Sequence, residues 1–338
     1  MTTAPEAPEL TEVTARRGVG AVDLLWLTWR QHRWTIASGV LLVLATWGYI
    51  LWNESTMNPR DFARCREQCM FSPSLAFITD QRNTADIHIV LAGALGLIIA
   101  VFWAAPLIAR EYEQRTNLLA WSQDVSQRRW LVGKIVPLAI LATGLAAVLG
   151  ALVVGEVNRM YGLGGIDYYR QFTLLHFEAS VPLQASFALF GFALGVAVSS
   201  VVRRVVPAMG VTVLLFVAIR AGFTQLRDRY LPPVHVFTPL ASPGTPVPYR
   251  SDMMLLDGGQ VDASGHLVTT LNCTGPITTD QEFLACERQS HIAGSFVDYQ
   301  PAARLATFRL IEAGIFVVLA VAAFTVVWIR TRRTATTG

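Results

Sequence analysis

The sequence predicts an all-α membrane protein with six transmembrane helices. Composition, the length of its apolar runs and the distribution of its charges lead to this prediction. Of the 338 residues, 53% are hydrophobic and 15% are charged, and the mean hydropathy is +0.43. Soluble domains have about 45–50% apolar and about 25% charged residues. The composition therefore argues against a disordered chain, a nucleic-acid binder and an ordinary cytosolic enzyme.

The apolar runs are long enough to cross a bilayer. A hydrocarbon core about 30 Å thick needs about 20 apolar residues in a helix. The runs are apolar throughout, whereas strands of a membrane barrel alternate apolar and polar residues. A helix also satisfies every backbone group internally. We therefore predict six spans, at 35–52, 87–108, 131–154, 179–202, 205–224 and 305–329.

The charges predict the orientation. The net charge is only +3, but the arginines are concentrated in the tails and in alternate loops, and the acidic residues in the remaining loops. Basic segments stay on the cytoplasmic side. Six spans then place both termini in the cytoplasm, in a multi-pass protein of the cell membrane.

The segments outside the spans divide the chain further. Residues 19–34 contain tryptophan and arginine, which are typical of the membrane interface. We favour an interfacial amphipathic helix there, with a simple extension of span one as the alternative. The predicted organisation is 1–34 as cytoplasmic tail and interfacial helix, 35–224 as spans one to five with an inner loop at 109–130, 225–303 as an extracytoplasmic domain, and 304–338 as span six and tail.

The extracytoplasmic domain is expected to be small and to contain a disulfide. All four cysteines fall in outer loops, where an oxidising compartment favours pairing. Local pairs are favoured, and pairs that join the two loops are the alternative. Residues 260–270 predict a hairpin, 279–292 a short helix, and the proline-rich stretch 232–248 an irregular segment. The cysteines are Cys65, Cys69, Cys273 and Cys286.

Three ionisable residues fall at similar depth in the apolar runs. Arg220 lies near the outer end of span five, and Arg309 and Glu312 share a face at the start of span six. Charges inside a membrane are costly and are often functional. We predict a cluster that holds spans five and six together and lines an outer gate. Snorkelling arginines with a structural pair are the alternative.

No motif for catalysis, metal binding or cofactor binding is recognisable. Lys134 is the only lysine, and its surroundings do not fit a phosphate-binding loop. No nucleophile–base pair and no histidine–cysteine cluster with metal-ligand spacing can be proposed. We therefore expect no enzyme activity and no bound cofactor in this chain.

The inner loop after span two has the most informative pattern. It reads AREYEQRTNLLAWSQDVSQRRWLVGK over 109–134 and resembles the membrane subunit of type-2 ATP-binding-cassette transporters. It departs from the family pattern at Gln114–Arg115, where glycine is commoner, and at Asp124, where proline is commoner. The stretch YQPAARLATFRLIEAGIF at 299–316 resembles the branch found in GC-rich bacteria. The residues quoted for the resemblance are Glu111, Glu113, Arg115, Thr116, Leu118, Leu119, Val125, Ser126, Arg128, Gly133 and Lys134.

The resemblance implies a permease subunit in a bacterial membrane. Such subunits work as homodimers with two separate ATPase subunits, which bind the ATP and Mg. The loop is then a coupling helix that docks in the ATPase. The candidate coupling residues are Glu111, Tyr112, Glu113, Arg115, Thr116 and Leu118.

The direction of transport and the cargo are inferred less directly. An exporter is the favoured interpretation of the permease, and the absence of charge at the middle of the spans suggests an amphipathic or apolar substrate. A membrane-anchored extracytoplasmic sensor or assembly protein is the alternative, and an intramembrane enzyme is a third. The aromatic residues expected either to line the substrate path or to face lipid are Trp47, Phe102, Trp103, Phe187, Phe190 and Phe216.

Overall fold

The computed structural model describes residues 20–57, 60, 74–114, 127–162, 172–240, 253–270 and 280–336. Within these residues the fold is mostly helical, and six helices are long and apolar enough to cross a membrane. The predicted number of spans is thus confirmed, although the helices run beyond the apolar segments at several ends. The spans one to six are Leu25–Thr56, Thr79–Glu113, Arg129–Met160, Val181–Val202, Val205–Gln225 and Ala302–Arg332.

The helices and strands follow the chain in a simple order. Span two contains a π-helix, Ile99–Ala104, between α2 and α3. Short 3-10 helices, Arg227–Arg229 and Ala302–Arg304, flank the extramembrane sheet. The elements are α1 (Ala21–Thr56), α2 (Ser74–Ile98), α3 (Ala105–Glu113), α4 (Gln127–Gly162), α5 (Leu174–Phe177), α6 (Val181–Val202), α7 (Val205–Gln225), β1 (Val234–Pro239), β2 (Met254–Asp262), β3 (Leu267–Val268), α8 (Asp280–Gln289), β4 (Ile292–Gln300) and α9 (Leu305–Thr336).

The start of α1 corrects one prediction. A separate interfacial helix at 19–34 is not found, because α1 runs without interruption over Ala21–Thr56. No proline occurs in this stretch, and its first glycine after Gly20 is Gly39, so nothing breaks the helix between the two predicted parts. Its 36 residues make a rod about 54 Å long, which exceeds the hydrocarbon thickness of about 30 Å. The segment is therefore an extension of span one.

Span four is the central helix of the bundle. It packs against spans two, three, five and six, and most of its side chains are buried. Gly191 and Gly195 allow this close approach, because a Cβ at either position would come within 2.5 Å of a backbone oxygen of span two. Small residues at such spacing let helix backbones meet in a membrane. The core thus lies on both sides of α6.

The segment between spans five and six forms an antiparallel sheet with the order β1-β4-β2-β3. The predicted hairpin and short helix are present as β2–β3 and α8. The prediction of an irregular proline-rich segment is wrong over Val234–Pro239, which is β1. This strand pairs with β4, and its side chains alternate between half-buried and exposed. The pairing stabilises an extended backbone that its proline content did not suggest.

The disulfide prediction falls mostly outside the described residues. Cys286 in α8 is buried and disulfide-bonded. Cys65, Cys69 and Cys273 are outside the described residues. Neither the predicted pairing nor the prediction of a disulfide-stapled domain is supported by the contacts of the described residues, and both remain predictions.

Candidate functional site: the end of span two and a charge cluster at the opposite helix ends

The last turn of span two is fastened to the neighbouring spans. Glu111 forms an ion pair with Lys134 of span three. Glu113 accepts a hydrogen bond of 3.0 Å from the backbone N–H of Val205, the first residue of α7. A carboxylate is favourable at this position, since the N-terminus of a helix has unpaired N–H groups and a positive dipole end.

Tyr112 adds a contact to the end of span four. The guanidinium of Arg203 lies over the Tyr112 ring at 4.9 Å from its centroid. Arg203 adopts a left-handed conformation, with φ of 56°, and ends α6. The turn of Glu111, Tyr112 and Glu113 is therefore connected to spans three, four and five. The other candidate coupling residues, Arg115, Thr116 and Leu118, lie outside the described residues.

A second group of charges lies at the opposite ends of these helices. Glu312 of span six is 2% exposed and accepts two hydrogen bonds from Arg227, of 2.7 Å from Nε and 2.8 Å from an Nη. This is a bidentate, charge-assisted pair in a buried place. Tyr230 contributes a longer contact of 3.4 Å from its hydroxyl to the same carboxylate. Burial raises the pKa of the Tyr230 hydroxyl, and the Glu312 carboxylate raises it further, so the hydroxyl stays a neutral donor.

Glu178 extends this group towards span five. Its carboxylate lies 2.5 Å from Arg220 and 3.8 Å from Arg227. Arg220 also donates a hydrogen bond of 2.9 Å to the carbonyl of Gly93 in span two, and its guanidinium lies 4.2 Å from the centroid of the Phe187 ring. Opposite charges and an aromatic face thus surround Arg220 on several sides.

Arg309 is placed differently from its predicted role in the cluster. It donates hydrogen bonds of 2.8 Å and 3.0 Å to the carbonyls of His176 and Phe177. These carbonyls belong to α5, whose last four C=O groups need partners outside the helix. The charge cluster at these helix ends is therefore Glu178, Arg220, Arg227 and Glu312, and Arg309 ties span six to α5 beside it.

Two members of this cluster could not be selected from the sequence. Arg227 and Glu178 fall outside the predicted spans, among other charged loop residues. The structure shows that Arg227 is 5% exposed and that the Phe177 ring covers its guanidinium at 3.9 Å. Arg220 was predicted because it is a charge within an apolar span. Its partner Glu178 comes close to it only through the packing of α5.

The aromatic residues of the proposed substrate path separate into two groups. Phe187, Phe190 and Phe216 are buried and pack against one another and against Phe316. They are core residues of this chain, which corrects the expectation that they line a path or face lipid. Trp103 is also buried, whereas Trp47 and Phe102 are 46% and 61% exposed. Of the six aromatic residues, Trp47 and Phe102 have the largest exposed fractions.

These features define a polytopic α-helical membrane protein whose helix ends are joined by charge pairs. The sequence model of the family described as "ABC-2 membrane transporter related" matches residues 37–227, which is more than half of the chain. The chain belongs to this family and is a permease component of an ABC transporter. Such membership implies a multi-pass membrane location and association with an ATPase subunit. No curated protein and no solved structure matches the chain significantly.

Proposed function

We propose that the chain is the permease of an exporter for an amphipathic or apolar substrate, and that it acts as a homodimer. Two partner ATPase subunits bind ATP and Mg and drive it through the loop between spans two and three. Both termini are cytoplasmic under the charge distribution of the loops. The stretch at 299–316 and the near absence of lysine are our reasons for assigning it to the branch found in GC-rich bacteria.

One observation carries the coupling proposal: the last turn before the loop is connected to three further spans. Glu111 contacts Lys134 of span three, Glu113 contacts Val205 of span five, and Tyr112 contacts Arg203 at the end of span four. A displacement of the loop would therefore move several helices together instead of bending one. Rigid connections of this kind allow an ATPase to favour one of two helix arrangements.

The basic test of the proposal is co-purification with activity measurement. The full chain is purified alone and with a candidate partner ATPase subunit, and both samples are reconstituted in nanodiscs. We expect the chain alone to show no ATP hydrolysis, and the complex to hydrolyse ATP faster than the free ATPase. A chain that binds no ATPase, or binds one without changing its turnover, would contradict the proposal and favour a sensor or assembly protein.

A charge exchange tests the role of Glu111. In our interpretation Glu111 acts through Lys134 rather than by touching the ATPase. Glu111→Lys or Lys134→Glu alone should lower the stimulated ATPase rate about tenfold, the effect of losing roughly 1.4 kcal/mol from a charge-assisted hydrogen bond. The double exchange restores an ion pair and should recover most of the rate.

The matched control is the ion pair between Glu54 and Arg159, which joins spans one and three at the opposite end of span three. Glu54→Gln should leave ATPase stimulation near the wild-type value. A double exchange at Glu111 and Lys134 that stays as impaired as the single variants, while the ATPase still binds, would show that Glu111 contacts the ATPase itself.

A further inference from the structure

A cavity of about 340 Å³ lies between span one, the inner half of span two and the start of span three. Its volume is in the range of small-ligand sites. One wall is aromatic, with Phe102 and Trp103, and the other is polar and charged, with His32, Arg110 and Lys134. Apolar and basic chemistry therefore meet in one place.

The charged wall has an excess of positive charge. Arg110 and Lys134 line the cavity with a single carboxylate, Glu111, which already pairs with Lys134. Within the described part of the chain, the side chain of Arg110 has no ion pair or hydrogen bond. The His32 Nε2 atom is buried and has no hydrogen-bond partner among the described residues. Two polar groups thus lack a partner, and an anion would supply an acceptor to the Arg110 guanidinium and to His32 in its Nε2–H tautomer.

The depth of the cavity matches the head groups of the membrane. Around it, Arg30 lies over Trp26 at 5.3 Å, and Lys134 lies over Trp130 at 5.3 Å. Tryptophan together with basic residues marks the membrane interface. Phe102 is 61% exposed on the lipid-crossing helix. A ligand at this depth can therefore place an anionic group on the basic wall and an apolar part along Phe102.

We propose that this cavity binds the head group of an anionic phospholipid. Arg110 and Lys134 hold the phosphate, His32 donates from its Nε2, and the glycerol and first acyl carbons lie against Phe102 and Trp103. Basic pockets between transmembrane helices are suited to such head groups. Free inorganic phosphate would use the basic residues alone and would gain nothing from the aromatic wall. The proposal requires only that these helices cross a membrane.

Lipid-dependent thermal stabilisation tests this site. The full chain is purified in detergent and titrated with phosphatidylglycerol, with phosphatidylcholine and, separately, with inorganic phosphate. Three variants are compared: Arg110→Gln, His32→Asn and the control Arg204→Gln. Arg204 is an exposed arginine at the start of span five, at the same end of the bundle, and it does not line the cavity.

We expect phosphatidylglycerol to raise the melting temperature more than phosphatidylcholine. Its apparent affinity should fall about tenfold in Arg110→Gln, as for one lost charge-assisted contact, and measurably in His32→Asn, but not in Arg204→Gln. Equal stabilisation by both lipids would overturn the proposal, as would an equal loss in Arg204→Gln. Stabilisation by inorganic phosphate equal to that by phosphatidylglycerol would exclude a lipid site.

Discussion

Glu312→Gln is expected to lower the stability of the protein by about 3 kcal/mol, because it leaves a buried arginine without its main partner. Removing one member of a buried ion pair costs about 3–5 kcal/mol. The low end applies here, since Glu178 lies 3.8 Å from Arg227 and can take over part of the charge. The melting temperature and the midpoint of denaturant unfolding in detergent measure the loss.

The neighbouring turn offers a matched control. Arg227 and Arg229 belong to the same 3-10 helix, Arg227–Arg229, but Arg229 is exposed. Arg227→Met should therefore destabilise strongly and Arg229→Met hardly at all. Similar losses in the two variants would contradict the importance of the buried pair.

A double variant separates the pair from its surroundings. Arg227→Met with Glu312→Met removes both charges and leaves apolar side chains of similar length. Its loss of stability should be smaller than the summed losses of Arg227→Met and Glu312→Met, because no charge remains buried alone. Additive losses would show that the two residues do not stabilise each other. If the double variant folds and binds the ATPase but no longer stimulates it, the cluster also takes part in transport.

The sequence predicted the spans well because a bilayer imposes a simple length requirement on apolar runs. It could not predict the helix ends. Span two continues to Glu113, beyond the apolar run, because the contacts of Glu111 and Glu113 with other spans stabilise the additional turn. Likewise α1 begins at Ala21, whereas the apolar run begins at 35. A helix can continue beyond the apolar residues that cross the membrane, so hydropathy does not mark where it begins.

The charge partners depended on tertiary packing. Arg220 and Glu312 were recognisable because a charge within an apolar run is unusual. Glu178 and Arg227 had no such contrast with the polar loops around them. They become buried because α5 lies against the ends of spans two and six and brings Phe177 over the guanidinium. Strand β1 did give a signal, the alternation of Val234 and Val236 with polar or exposed neighbours, but its prolines outweighed it.

Gly195→Ala should lower the stability of the protein by about 2 kcal/mol, although it adds only one methyl group. A Cβ at Gly195 would lie 2.5 Å from the carbonyl oxygen of Ala100 and 2.6 Å from the Cβ of Ala104. Neither of these atoms belongs to a flexible side chain, so the two helices must separate. Overpacking of this kind costs about 1–3 kcal/mol or somewhat more, against a gain of about 1 kcal/mol in helix propensity.

Gly195→Ala should also affect coupling, because of the segment of span two that lies opposite Gly195. Ala100 and Ala104 belong to the π-helix of span two, in which the N–H of Ala105 bonds to the carbonyl of Ala100. Such wide turns recur at functional sites and mark places where a helix changes its hydrogen bonding. This π-helix lies directly before the α3 turn that we propose transmits the motion of the ATPase. Separation of spans two and four at this point should therefore reduce ATPase stimulation as well as stability.

Gly210→Ala provides the comparison, because a Cβ there meets no atom within 4 Å and the substitution should stabilise span five slightly. Gly191→Ala should behave like Gly195→Ala, since its Cβ would lie 2.5 Å from the carbonyl oxygen of Gly96. Melting temperature and stimulated ATPase rate are measured for all three variants. If Gly195→Ala melted as high as Gly210→Ala, the close contact between spans two and four would be disproved. If it melted lower but kept full stimulation, the contact would stabilise the fold without transmitting motion.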